Sequence, residues 1–336
     1  MLNIIKDNPL RLVGTSANAK MKERLANLSK IKAYAKINKP VSFPYDLNES
    51  LGKLDRTLDA TEIAMSKLNL PEEFIKYVFF WFYNITPEQQ EAAACLANNN
   101  IKAAKEIYSK GTDFGSLIST ATLAFIGNNN TQGIKLLNTI IIDQELQKQF
   151  LDFIAEINGQ TTSNISTQYL IELLVGVFIE NIPINDLIKI YSTLGKSKFF
   201  DFYSDSIKII KAQNTKLIQS KIEKMIQEET SLDDPAKELA NCPDVVKECK
   251  LELRNLLKSV DNSSPEYQSL SDTVAKYIIQ TVIGYFNTHQ SDMSSFHAQQ
   301  LIELSKKARA MAQSSILKGK CESTLDSVSG YMFDLF

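Results

Sequence analysis

Histidine, cysteine and glycine are all scarce in this 336-residue chain, and each scarcity closes off a class of chemistry. Only His289 and His297 offer imidazole, and they stand near Ser291, Asp292, Ser294 and Ser295 at a break between helices. No glycine-flanked nucleophile turn accompanies them, so a serine–histidine–aspartate site has composition but no motif, and the histidines read as capping or surface residues. The four cysteines, Cys95, Cys242, Cys249 and Cys321, are scattered, and Cys242 and Cys249 are seven apart with no histidine nearby. That is not the spacing of a zinc site, and reduced, packing thiols are expected. The twelve glycines are isolated. Neither G-x-G-x-x-G nor G-x-x-x-x-G-K-[ST] occurs, so a phosphate cradle has no support. No run approaches the ~18 apolar residues that span a bilayer. The densest runs, 77–83 (YVFFWFY) and 170–182, the latter punctuated by Glu172 and Glu180, read as core helices. Residues 1–9 have no apolar stretch of the secretory kind, and a cytoplasmic location without a membrane is the expectation.

What is present is ample apolar surface. At 44% hydrophobic and 23% charged, with 37 basic against 39 acidic residues, the chain can bury a core and has no bulk attraction for nucleic acid. Its length suggests two or three folding units. Apolar residues recur at three and four: Met21, Leu25, Leu28, Ile31 and Ala35; then Phe74, Tyr77, Val78, Trp81 and Phe82; and later Tyr267, Leu270, Val274, Tyr277, Ile278 and Tyr285. That period is helical, clean period-two alternation is nearly absent, and the fold class is all-α.

Proline and capping residues divide the helices. Breaks fall at Asn8-Pro9 and from Lys39-Pro40 through Pro44-Tyr45. Leu70-Pro71, Thr86-Pro87 (with Gln89 completing a capping box) and Ser264-Pro265 open helices. Further boundaries are expected at 111–113, 159–164, Pro183, Gly195 and 233–235. Acidic pairs such as Glu72-Glu73 and Glu228-Glu229 sit at helix ends, where they complement the dipole or stay hydrated.

One internal repeat stands out: ACLANNNIKAAKEIY at 94–108 and AFIGNNNTQGIKLLN at 124–138, offset by thirty residues. Each copy reads as a helix, a tight asparagine turn and a second helix, because asparagine tolerates the left-handed backbone such a turn needs. Small residues follow at Ala103, Ala104 and Gly133, where helices can approach closely. The arrangement resembles the stacked helical hairpins of the tetratricopeptide family, although thirty is shorter than that family's period. From about residue 196 longer helices follow, one of roughly thirty residues that carries Ile207, Ile210, Leu217, Ile218, Ile222, Met225 and Ile226, and then others at 237–260 and 291–315, as in a bundle. The sequence thus divides into 1–84, 85–195 and 196–336.

The first forty residues are basic. Lys6, Arg11, Lys20, Lys22, Arg24, Lys30, Lys32, Lys36 and Lys39 face only Asp7 and Glu23, a local +7 against −9 for the rest. An acidic protein partner or a solvated surface fits this segment better than nucleic acid, since stacking aromatics other than Tyr34 are missing.

The stretch Asn8-Pro9-Leu10-Arg11-Leu12-Val13-Gly14-Thr15-Ser16-Ala17-Asn18-Ala19 resembles the opening of a J-domain of the DnaJ-type cochaperones. Residues 20–36 resemble that domain's second helix, whose positive face docks on Hsp70, and 61–77 resemble its third. The family stimulates the Hsp70 ATPase through a His-Pro-Asp tripeptide between those helices, whereas this chain has Lys39-Pro40-Val41. The resemblance therefore implies a J-like scaffold without that stimulation, followed by repeat hairpins and a long-helix bundle. The expected function is non-enzymatic protein–protein interaction, as an adaptor or cochaperone-like module with an Hsp70-like chaperone or a client as partner. No cofactor, metal or catalytic residue is expected. The candidate partner-binding residues are Lys20, Arg24, Lys32 and Lys36 on the basic helix, with Asn99, Lys102, Lys105, Asn129 and Lys135 lining the hairpin groove. A nucleic-acid-associated protein using residues 20–39, or a helical enzyme with a site assembled from distant acids, are the alternatives.

Overall fold

The computed structural model describes residues 1–158, 165–195, 200–231 and 233–334; the boundary expected at 159–164 lies outside them. Every regular element among the described residues is a helix, as the apolar period requires. In order they are α1 (Leu2–Lys6), α2 (Pro9–Val13), α3 (Met21–Lys36), α4 (Asn48–Leu51), α5 (Leu58–Asn69), α6 (Pro71–Val78), α7 (Pro87–Ala97), α8 (Ile101–Tyr108) and α9 (Phe114–Ile126). They continue with α10 (Asn130–Ile142), α11 (Gln144–Asn158), α12 (Thr167–Asn181), α13 (Ile184–Leu194), α14 (Phe200–Thr230), α15 (Pro235–Leu256), α16 (Pro265–His289), α17 (Ser295–Met311) and α18 (Ser315–Asp334). None of these is long and apolar enough to cross a membrane. Two compact units result: 1–183 with 189–206, and 184–188 with 207–336.

In the first unit the run at 77–83 departs from the helix expected there. α6 ends at Val78, and Phe79 to Tyr83 continue as irregular backbone although every one of them is fully buried. Buried peptide groups outside a helix need partners from elsewhere in the chain. Asn8 supplies two, donating from Nδ2 to the carbonyls of Tyr77 (3.0 Å) and Phe80 (3.3 Å) while its Oδ1 accepts from Leu10 N and caps α2. Ala17 N donates to Phe82 O at 2.8 Å, Ser119 Oγ accepts from Tyr83 N, and the Tyr108 hydroxyl donates to Tyr83 O at 2.8 Å. The Trp81 indole in turn donates to Thr15 O at 2.8 Å.

Freed from helical spacing, the side chains of this segment reach different helices. Phe79 meets Phe150 of α11 at 4.3 Å between centroids, Phe80 meets Phe125 of α9 and Phe178 of α12, and Phe82 meets Tyr108 of α8. Rings at these separations attract beyond their simple burial. Likewise, 61–77 is not one helix. α5 stops at Asn69, and Pro71 opens α6 with a fresh first turn, as proline at that position favours.

The stretch between α3 and α5 is ordered by Phe43, Tyr45 and Leu47, which are buried, and by an Arg56–Asp46 ion pair that is almost wholly out of solvent. Arg56 also donates to Leu12 O (2.9 Å) and Arg11 O (3.0 Å), while Arg11 bonds the carbonyls of Lys6, Asp46 and Gly52. Two arginines thus tie the backbone of α1–α2 to the loop. Gly14 ends α2 with φ +75°, and a Cβ there would run into the Phe43 ring, so both backbone and space demand glycine.

The repeated segments fold as two antiparallel hairpins, α7–α8 and α9–α10, with the same turn. Asn99 (φ 55°) and Asn128 (φ 57°) are left-handed, and Asn100 and Asn129 cap the second helices through Ala103 N and Gln132 N, each at 3.1 Å. The structural register is therefore twenty-nine residues at the turn, one fewer than the sequence alignment gave. It pairs Ala104 with Gly133, both buried, and Gly133 lies directly against the Phe125 ring.

The second unit is built from long helices packed in succession, α15 on α16, α16 on α17 and α17 on α18, with Ile218 and Ile222 of α14 joining the core. Ser294 caps α17, accepting from His297 N. Asp272 closes the start of α18, accepting from Ser314 N at 3.2 Å.

Replacing Asn8 with alanine removes one cap and the donor to two buried carbonyls, and the first unit should lose about 3 kcal/mol. Asn98→Ala, on an exposed turn, should stay within about 0.5 kcal/mol; urea denaturation of both variants checks the contrast. Burial raises the phenols of Tyr45, Tyr83, Tyr108, Tyr191 and Tyr277 above their ordinary value of 10.0. An acid whose folded pKa is raised keeps its proton in the folded state, so stability is full below pH ~10 and falls as pH rises beyond it. Each tyrosine contributes about 1.4 kcal/mol per pH unit in that range. Arg24, lowered to about 10, works in the opposite sense but is outnumbered. Tyrosinate absorbance and helicity, followed together above pH 10, should change in one transition.

Candidate functional site

Helix α3 carries most of the basic candidates, and its buried face is not the apolar stripe expected from the sequence. The residues turned fully inward are Arg24 and Ile31, while Met21 (41%) and Leu25 (48%) are exposed. At i, i+4 spacing Met21 and Leu25 fall on one stripe with Lys32 and Lys36, so the helix presents mixed apolar and cationic surface.

The four basic candidates have different environments. Lys36 is exposed. Lys32 pairs with Glu62 of α5 at 2.7 Å, and Lys20 pairs with Glu156 of α11 at 3.3 Å, both in solvent where such pairs contribute little. Arg24 is a correction: at 1% exposure it is no surface contact. Its Nε donates to Ala19 O (3.0 Å), its guanidinium sits 4.6 Å from the centre of the Phe74 ring, and Nη1 and Nη2 have no hydrogen-bond partner. Burial lowers its pKa to about 10, so it remains a cation at neutral pH.

Asn99, Lys102, Lys105, Asn129 and Lys135 are all exposed, at the two turns and along α8 and α10. The asparagines serve the turns themselves, and none of the five lines the concavities described next.

Three concavities lie along the hairpin region of the first unit. One of about 370 Å³ is bounded by Glu88, Gln89, Glu91, Tyr108, Lys110 and Asp113. A second, about 640 Å³, is lined by Asn18, Asn84, Gln90, Phe114, Phe153 and Asp152, with Lys20, Gln149 and Glu156 at its walls. The third, about 560 Å³, takes in Asp113, Leu117, Thr139, Asp143, Glu145 and Gln149. Asp113 is common to the first and third and Gln149 to the second and third, so the three adjoin as an interrupted trough. The helices that wall it are chiefly α7, α9 and α11. Two of its acids are occupied in capping: Asp113 accepts from Ser116 N and Gln89 Nε2, and Asp143 accepts from Glu145 N and Leu146 N. Glu88, Glu91 and Asp152 are exposed and hold no ion pair.

The trough was not anticipated, although part of its signal was present. Glu88 and Glu91, and Asp152 and Glu156, stand three and four apart on helices, which puts each pair on one face.

Chemistry-bearing groups elsewhere are engaged in structure. His289 stacks on Tyr285 at 4.3 Å and its Nδ1 lies 2.7 Å from the Thr288 hydroxyl, while His297 Nδ1 is 3.1 Å from Ser294 Oγ. Cys242 and Cys249 are buried, which pushes both thiols up to about 12 and keeps them protonated. Among the described residues no group of three histidine, cysteine, aspartate or glutamate side chains is placed to hold a metal ion.

Arg24→Met removes an unpaired buried cation while keeping its volume, and should raise stability by about 1 kcal/mol. Arg24→Ala, which leaves a void, should lower it by about 2 kcal/mol; the ordering of the two urea midpoints checks this. No protein-family model, no curated protein and no solved structure matches the chain.

Proposed function

We propose that this chain is a non-enzymatic protein-interaction module whose α3 surface docks an acidic partner protein. The observation that carries the reading is the stripe of exposed Met21, Leu25 and Lys36, with half-buried Lys32 between them. Apolar side chains left in water beside cations give a partner both buried area and charge to complement, and interface energy concentrates in such desolvated contacts. The neighbouring Lys22 and Lys39 extend the positive field.

The J-like resemblance gives this partner a class. A short α2, capped by Asn8 and ended by left-handed Gly14, leads into the basic α3, as in the DnaJ-type domain. An Hsp70-type chaperone is then the acidic partner to test first. Where the family carries its His-Pro-Asp tripeptide, this chain has exposed Lys39 and Pro40 followed by Val41, so docking without ATPase stimulation is the reading.

Immobilised full-length chain should bind a purified Hsp70-type chaperone, and the combined Leu25→Asp, Lys32→Glu and Lys36→Glu variant should bind at least 10-fold more weakly. Lys135→Glu should leave affinity unchanged, and raising salt should weaken the wild-type complex. Absence of binding, equal binding by the triple variant, or stimulation of the chaperone's ATPase would each overturn the reading.

A further inference from the structure

The acidic trough on the hairpins shares no lining residue with the α3 stripe and bears charge of the other sign. Seven carboxylates line it (Glu88, Glu91, Asp113, Asp143, Glu145, Asp152 and Glu156) against Lys20 and Lys110. Lys20 is already paired with Glu156, so the charge left over is strongly negative. The acids are only part of the surface. Phe114 and Phe153 form an apolar floor in the largest concavity, and Ile85, 45% exposed, lies at its edge. Asn84 and Gln90 stand on its walls, with carboxamides that offer both a donor and an acceptor.

We infer that this trough binds an extended, lysine- or arginine-bearing polypeptide segment. Carboxamides match the alternating N–H and C=O groups of an extended backbone, the apolar floor accepts the methylene stems of long basic side chains, and the free carboxylates of Glu88, Glu91 and Asp152 take their heads. A compact cation would need several carboxylates converging on one point, and no such cluster is found among the described residues. Three hollows that adjoin at Gln149 and Asp113 suit a segment of several residues. The inference does not rest on α3 docking.

The probe is a fluorescein-labelled dodecapeptide of alternating lysine and serine, titrated with the full-length chain in an anisotropy assay, with glutamate in place of lysine as its counterpart. The lysine peptide should bind and the glutamate peptide should not. Glu88→Gln, Glu91→Gln and Asp152→Asn together should weaken binding at least 10-fold while circular dichroism stays unchanged. Three neutralisations in the second unit, Glu223→Gln, Glu228→Gln and Glu248→Gln, should change affinity less than 2-fold. If both triple variants weaken binding equally, the attraction is that of any acidic surface and the inference falls. It falls equally if the trough variant binds as wild type. The α3 triple variant should bind this peptide undiminished, so loss of chaperone docking and loss of peptide binding are read separately.

Discussion

The first unit depends on a stretch of buried backbone that belongs to no helix. Between Val78 and Asn84 the chain runs through the most apolar part of the unit, where water cannot pair its peptide groups. Each unmet group there would cost about 1–3 kcal/mol, so the segment is possible only because other parts of the chain reach in to meet it. Asn8, Ala17, Ser119 and Tyr108 do so from positions tens of residues away on both sides. The same irregularity lets successive aromatic rings diverge to α8, α9, α11 and α12, where a continued helix would have turned them at 100° steps. Hydrogen bonding and packing therefore specify one path together, and the basic α3 region and the hairpins are held in one unit by it.

Much of the architecture was legible in the sequence because it rests on local rules. The Thr86 capping box, proline at the first turn of α6, α7, α15 and α16, the asparagine turns and the 31-residue α14 all follow from residues within a few positions of one another. What the sequence concealed depends on contacts across long separations. YVFFWFY has a helix's composition, and nothing nearby announces that Asn8 donates to two of its carbonyls. Arg24 was grouped with its neighbouring lysines because composition cannot say which side of α3 faces inward. The apolar stripe led to the same error, since Met21 and Leu25 remain outside while an arginine packs on Phe74. The acidic trough escaped notice because its carboxylates come from two helices, α7 and α11, and from the turns at Asp113 and Asp143, each unremarkable alone.

The charge imbalance seen along the sequence has a spatial counterpart. The positive segment does not spread evenly: Arg11 and Arg24 are internal, Lys20 is held by Glu156, and Lys32 by Glu62, which leaves Lys6, Lys22, Lys30, Lys36 and Lys39 as the outward cations of that region. The negative surplus gathers partly in the trough. At physiological salt, fields from such patches reach about 8 Å, so each acts chiefly on what lies directly against it.

The two asparagine triplets bear on how this region tolerates changes of length. In the first hairpin the second and third asparagines take the left-handed and capping places, and in the second hairpin the first and second do. Three like residues in a row are thus a sliding joint: whichever pair arrives at the bend can make it. Gain or loss of one residue in the preceding helix is absorbed by shifting the frame, and the junction keeps its shape.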